Sequence, residues 1–211
     1  MRRRPAKPPR SMRRAGWRSA ELVSLDFETT GLDPARDDVI SFGLVPITGG
    51  RIDLSAASYR EVAPRVEPRH GSIRVHHLRM QDLATAPAMS EVADQFRDAL
   101  ANRWVLAWAA GIEISFLRRI FGGAERTWRR RTIDVRTLVI ALERARDGQV
   151  PNEPGRYALE AACTRFGVPV EQTHHALDDA FMTAELFLVV ANRLFTTGPG
   201  SIKDLARLGR P

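Results

Sequence analysis

The sequence predicts an α/β fold in which three strands joined by short turns form an antiparallel meander and a largely helical second half packs against it. Three observations carry this. Residues 22–28 alternate between apolar and chemistry-bearing side chains as a strand does, and two further β-type runs, at 39–45 and 58–63, follow at short spacing. Beyond Pro68 the apolar residues recur mainly at helical spacing, interrupted by two short strand-like runs.

In the first strand, Leu22, Ser24, Asp26 and Glu28 share one face while Val23, Leu25 and Phe27 share the other. The Cα atoms of Asp26 and Glu28 then lie about 7 Å apart, near enough for both carboxylates to converge on divalent cations. Two like charges on a half-buried strand are costly without a cation. The alternative is a strand end emerging into solvent, with Asp26 satisfied by a turn amide. Thr29-Thr30-Gly31 and Asp33-Pro34 follow as a turn whose glycine permits close approach of a ligand.

The second strand is predicted from Val39 to Val45, with Gly49-Gly50 as a turn before the third, Ser58 to Ala63. Pro64 and Pro68 bracket an irregular connection, and short helical turns are expected at Ser72 to His77 and Met80 to Leu83. Met89, Val92, Ala93, Phe96 and Leu100 define a helix. A buried strand follows at Trp104 to Trp108, and Ile112, Phe116 and Ile120 share a helical face that ends at Gly122-Gly123. Thr132 to Val135 reads as the fifth strand and Arg136 to Arg146 as a helix. After a break at Asn152 to Gly155, helices are expected at Tyr157 to Phe166 and Ala176 to Phe195, with a brief helical pattern in the tail.

At 211 residues and 44% hydrophobic composition the chain suits one domain with a full core. Its apolar runs are too short to cross a bilayer. A single cysteine, Cys163, excludes an internal disulfide framework and fits a reducing cytoplasm. The net charge is +7, yet eight cations and no acid precede Glu21, so removing those eight leaves the remainder at −1. Residues 1–18 are therefore read as a basic leader, expected to be disordered through Gly16, residues 19–197 as the folded domain, and 198–211 as a C-terminal tail. The leader either scans phosphates electrostatically or is an incidental extension.

Three more acids and two histidines complete the candidates. Asp179 falls on the apolar stripe of the last helix with Met182, Leu186 and Val190, so it needs a helix-end amide, a basic side chain or a metal as partner. Asp178 lies off that stripe. His174 and His175 precede the helix and read either as solvated loop residues or as a base, since imidazole titrates near neutrality. Glu113 opens the helix after the fourth strand, where an acid also complements the helix dipole.

Together these residues resemble the DEDDh group of DnaQ-like 3′→5′ exonucleases, in the ribonuclease H-like superfamily. Leu25-Asp26-Phe27-Glu28-Thr29-Thr30-Gly31-Leu32 matches the first motif, and His174-His175-Ala176-Leu177-Asp178-Asp179 the third. The resemblance implies a ribonuclease H-like fold with a central mixed five-stranded sheet, its first three strands antiparallel and the rest parallel, flanked by helices. It implies Asp26, Glu28, Glu113 and Asp179 as ligands of two divalent cations, Mg²⁺ or Mn²⁺, and His174 as base. His175 stands where a sister group carries tyrosine. Ile73 to Leu78 looks like the family's His-Gly-Ile stretch, with His77 in place of glycine and His76 approaching the terminal nucleotide. The second motif departs: Trp108-Ala109-Ala110-Gly111-Ile112-Glu113 replaces His-Asn-Ala-x-Phe-Asp.

What the resemblance implies is release of nucleoside 5′-monophosphates from a single-stranded 3′ end. Backbone amides of Thr29, Thr30, Gly31 and Leu32 would hold the terminal sugar, with Leu32 or Ile112 against the base. The alternative is a catalytically weakened nucleic-acid-binding module of the same fold. DNA and RNA ends both remain open as substrates, as does a polymerase or repair partner; no membrane is implied.

Overall fold

The computed structural model describes residues 16–150, 153–171, 174–196 and 200–211. The leader expected over residues 1–18 lies outside them up to residue 15, as do Asn152 at the predicted chain break and Gly198-Pro199 at the start of the tail.

The sheet is built outward from β1 (Leu22–Thr29), which is buried along nearly its whole length. Antiparallel to it runs β2 (Val39–Thr48), with Leu22 opposite Ile47 and Asp26 opposite Gly43. Two strands pair with β2: the two-residue β3 (Arg51–Ile52), across the Gly49-Gly50 turn, and β4 (Ser58–Glu61). On the other side of β1 the pairing turns parallel, first β5 (Trp104–Ala107) and then β6 (Thr132–Asp134). The sheet is thus mixed and six-stranded, in the order β3-β2-β1-β5-β6 with β4 also on β2. The expected count of five omits β3, whose two residues are too few for any alternation to register.

Helices cover both faces. α2 (Met89–Leu100), α3 (Gly111–Phe121) and α4 (Glu125–Arg129) pack with Val23, Leu25 and Phe27 of β1 in one core. α5 (Val135–Asp147), α6 (Leu159–Phe166), α7 (Ala176–Leu194) and α8 (Ile202–Leu208) form the other, with Leu22, Val45 and Ile47. The face carrying Asp26 and Glu28 is therefore the α7 face, as the period-2 pattern requires. Before α2 lies α1 (His70–His76), where a short turn was expected; Met80 to Leu83 is a non-helical turn.

Both ends extend the folded unit beyond 19–197. Trp17, counted with the leader by its basic surroundings, is buried, donates its backbone N–H to the Gly200 carbonyl at 3.0 Å and meets Phe187 edge to face. Ile202 and Leu205 of α8 join the same core. A lone aromatic among arginines carries no periodicity, so composition masks it. Among the described residues no helix is long and apolar enough to cross a membrane.

Candidate active site

Strands β1, β5 and β6 run parallel, and their carboxyl ends open onto one edge where ligands of open α/β sheets bind. β1 arrives there with Asp26 and Glu28. Its register with β2 shifts between Glu28 and Thr29, an irregularity that re-aims the strand end and lets the chain leave for the following loop.

Asp179 reaches the same point from α7. Gly43 sits opposite Asp26, and a Cβ added there would lie 2.2 Å from the Ala176 carbonyl oxygen and 2.5 Å from the Leu177 Cα. The first turn of α7 is thus pressed directly on the sheet, which only a missing side chain permits. Gly43→Ala must push that turn away, because the obstacle is backbone. We expect kcat/KM to fall at least about tenfold and stability by about 1–3 kcal/mol, read by steady-state kinetics and thermal melting.

The outcome is one compact group: oxygens of Asp26, Glu28 and Asp179 all lie within 4.8 Å of one another. Burial raises the Asp26 carboxyl well above its ordinary range, reinforced by the charges of Glu113, Asp179 and Glu28. Glu28 is pushed up to about 8 by burial and then by Asp179. Asp179 rises to about 6 for the same primary reason, against the pull of the His174 backbone N–H, which donates to its Oδ2 at 3.0 Å. Such a trio is stable as carboxylates only with compensating positive charge.

Glu113 is buried at the start of α3 and its Oε2 has no hydrogen-bond partner among the described residues. It lies outside the 4.8 Å group, yet its charge acts on Asp26. Burial pushes it to about 8, helped by the charges of Asp134 and Glu28. Its orphaned oxygen and the three converging carboxylates together fit a site for hard divalent cations, which take oxygen ligands.

His174 is exposed, has φ 62°, and its charge acts on both Asp179 and His76. His175 instead turns away, stacking on Tyr59 at 4.5 Å between ring centroids with Nδ1 3.2 Å from Asp178 Oδ2. His76 is buried at the end of α1, accepts the Leu78 N–H at Nδ1 (3.1 Å), and burial lowers its pKa. His77 occupies the left-handed C-cap of α1 at φ 62°, which explains why glycine suits that position in the motif. Thr30 receives Arg69 N–H and Ser72 Oγ at its carbonyl, both at 3.1 Å, so α1 is tied to the Thr29 to Leu32 turn. Leu32 is 73% exposed, while Ile112 is partly buried against the α2–α3 core.

Sequence reasoning missed Asp134. It ends β6, caps α5 by accepting the Thr137 N–H (3.2 Å), and accepts the Ala110 N–H (3.2 Å), so it pins the loop before Glu113. That loop includes Ala109 at φ 51°, a conformation asparagine takes more readily than alanine. The signal available was an acid at a strand-to-helix junction, read only as a strand end.

Comparison with known proteins agrees with this geometry. The exonuclease family (RNase_T) matches residues 23–187. The chain is 29% identical over 194 residues to a DNA polymerase III of PolC type from Thermotoga maritima, covering 90% of this chain but 13% of that protein. It is 26% identical over 200 residues to the DNA polymerase III subunit epsilon of Rickettsia prowazekii, covering 89% and 83%. The first of these relatives is therefore far longer than the matched region. The fold also superposes on E. coli exonuclease I, solved with a dT13 oligonucleotide, with a TM-score of 0.71 at 16% identity over 82% of this chain and 41% of that one. With its matched length, mixed sheet and converging acids, the chain belongs to the exonuclease family, as a DnaQ-like member with the ribonuclease H-like fold.

Proposed function

We propose that this protein is a metal-dependent 3′→5′ exonuclease of the DEDDh type that shortens a single strand by one nucleotide at a time. The observation that carries it is the meeting of Asp26, Glu28 and Asp179 within 4.8 Å, each with a raised pKa. Asp26, Glu28, Glu113 and Asp179 would hold two divalent cations, Mg²⁺ or Mn²⁺. When bound, such cations neutralise the phosphodiester and polarise the attacking water.

The remaining work falls to the chain. The terminal sugar is received at Gly31 and Leu32 beside Thr29; Thr30, expected to share this role, has its N–H on the Asp38 carbonyl and its own carbonyl on Arg69 N–H and Ser72 Oγ, so it shapes the turn instead. Leu32, its side chain largely in solvent, or Ile112 packs on the base. His76 lies beside this turn. His174 takes a proton from the attacking water at an imidazole nitrogen; the new bond forms at phosphorus and the bond to the penultimate 3′ oxygen breaks. The products are a nucleoside 5′-monophosphate and a strand with a free 3′ hydroxyl. The likeness to a DNA polymerase III subunit epsilon favours a DNA-processing role with a polymerase as partner.

His174→Ala is expected to lower kcat about a hundredfold, the usual worth of a positioned base, while oligonucleotide affinity stays within about twofold. The test of the whole reading is hydrolysis of 3′-labelled single strands, DNA and RNA in parallel, with Mn²⁺, Mg²⁺ or EDTA. Stepwise mononucleotide release that EDTA abolishes supports it. Glu113 lying outside the compact group favours a second reading, a binding module of the same fold. Strands bound but never shortened under either metal would select that one.

A further inference from the structure

The loop between β1 and β2 closes on itself. Asp37 Oδ2 accepts the Asp33 N–H at 2.8 Å, and a Cβ on Gly31 would lie 2.5 Å from that same oxygen. Thr30 and Asp38 exchange two bonds, Thr30 N–H to the Asp38 carbonyl and Asp38 N–H to Thr30 Oγ1, each 2.9 Å. These contacts shape the loop but do not attach it to the rest of the domain.

Arg119 does. It stands on α3, the helix that opens with Glu113, and its guanidinium spreads across the loop. Nη1 donates to the Pro34 carbonyl at 2.9 Å and to the Asp37 carbonyl, and Nη2 donates to Asp38 Oδ1 at 2.7 Å. The side chain is 29% exposed, whereas Arg65, the other cation on Asp38, is 76% exposed. Burial works against the Asp38 charge, but Arg65 and Arg119 outweigh it and hold that carboxyl below its ordinary value. Under this part of the loop lies a cleft of about 430 Å³, lined by Asp38, Arg65, Met89, Phe116, Arg119 and Ile120 among others. With open space there rather than close-packed side chains, a polar clamp is what fixes the loop's distance from α3.

We propose that Arg119 is a positioning residue for the terminal nucleotide, setting the Thr30 to Leu32 turn at a fixed distance from the helix that carries Glu113. The inference rests on the exonuclease reading. The forked head is essential, because its two terminal nitrogens reach three acceptors at once, which the single ammonium of lysine does not match.

Three variants test it, Arg119→Met, Arg119→Lys and Asp38→Asn, the last removing the loop's charge if the Arg119 variants fail to fold. KM in Mn²⁺ and Kd for a 3′-labelled single-stranded decamer in Ca²⁺ are measured for each. For Arg119→Met we expect KM and Kd to rise about tenfold with kcat within about twofold, the mark of lost uniform binding. Lysine should fall between methionine and wild type, and Asp38→Asn should shift in the same direction. Wild-type KM and Kd in folded Arg119→Met, or in Asp38→Asn should the former not fold, overturn the proposal whatever happens to Tm. If wild type binds without turnover, the Kd series still decides for Arg119 while the exonuclease reading falls; if it neither binds nor cleaves, both fall.

Discussion

Asp26→Asn is expected to lower kcat by about a thousandfold or more, equivalent to about 4 kcal/mol of transition-state stabilisation, and at the same time to raise the Tm of the metal-free protein at pH 8. The first effect follows from Asp26 standing among Glu28, Asp179 and Glu113, each of whose charges acts on it. The second follows from the same proximity. Without cations these carboxylates repel one another in partial burial, so an isosteric amide removes a repulsive charge and leaves packing intact. The variant should also lose the Tm increase that Mn²⁺ gives wild type. A variant with reduced Tm and near-normal kcat would remove Asp26 from the centre of the site.

The stability of the metal-free protein should fall as pH rises from about 5 to about 8. Glu28 and Glu113 are lifted from 4.5 to about 8, and Asp179 from 3.8 to about 6. Between those limits the folded state binds more protons than the unfolded chain, so the slope of unfolding free energy with pH is negative. The stabilising contribution is complete below the ordinary carboxylate range and is lost as pH passes the raised values. For a chain of this size a change of about 2 kcal/mol corresponds to a Tm decrease of about 5 °C. Divalent cations compete with the same protons, so Mn²⁺ should raise Tm more at pH 8 than at pH 6. Melting curves with EDTA or Mn²⁺ across this range check both signs; a flat EDTA series, or equal metal effects at the two pH values, would show that the acids do not share one field.

Much of this was legible in the chain because it depends on short-range pattern. The two-residue period of β1 placed Asp26 and Glu28 on one face, and the stripe through Met182, Leu186 and Val190 singled out Asp179 from its neighbour. Helix α2 begins and ends where its apolar spacing begins and ends. What escaped depends on contacts distant in sequence. Asp134 matters through the Ala110 amide, Trp17 through Phe187 and Gly200, and Arg119 through two carbonyls and a carboxylate in another loop. None of these leaves a period. Gly43 reads in sequence as a weak point in a strand, and its purpose appears only when α7 is laid across it.

The pressing of α7 onto Gly43 also bears on how the protein is made. Asp26 and Glu28 leave the ribosome well over a hundred residues before the helix starting at Ala176 that supplies the carboxylate completing their group. Until that helix emerges and settles on the sheet, the nascent chain carries two of the three acids and lacks His174 altogether. On the proposed reading the growing polypeptide stays unarmed until that helix docks, and activity becomes a late certificate that α7 has closed on the sheet.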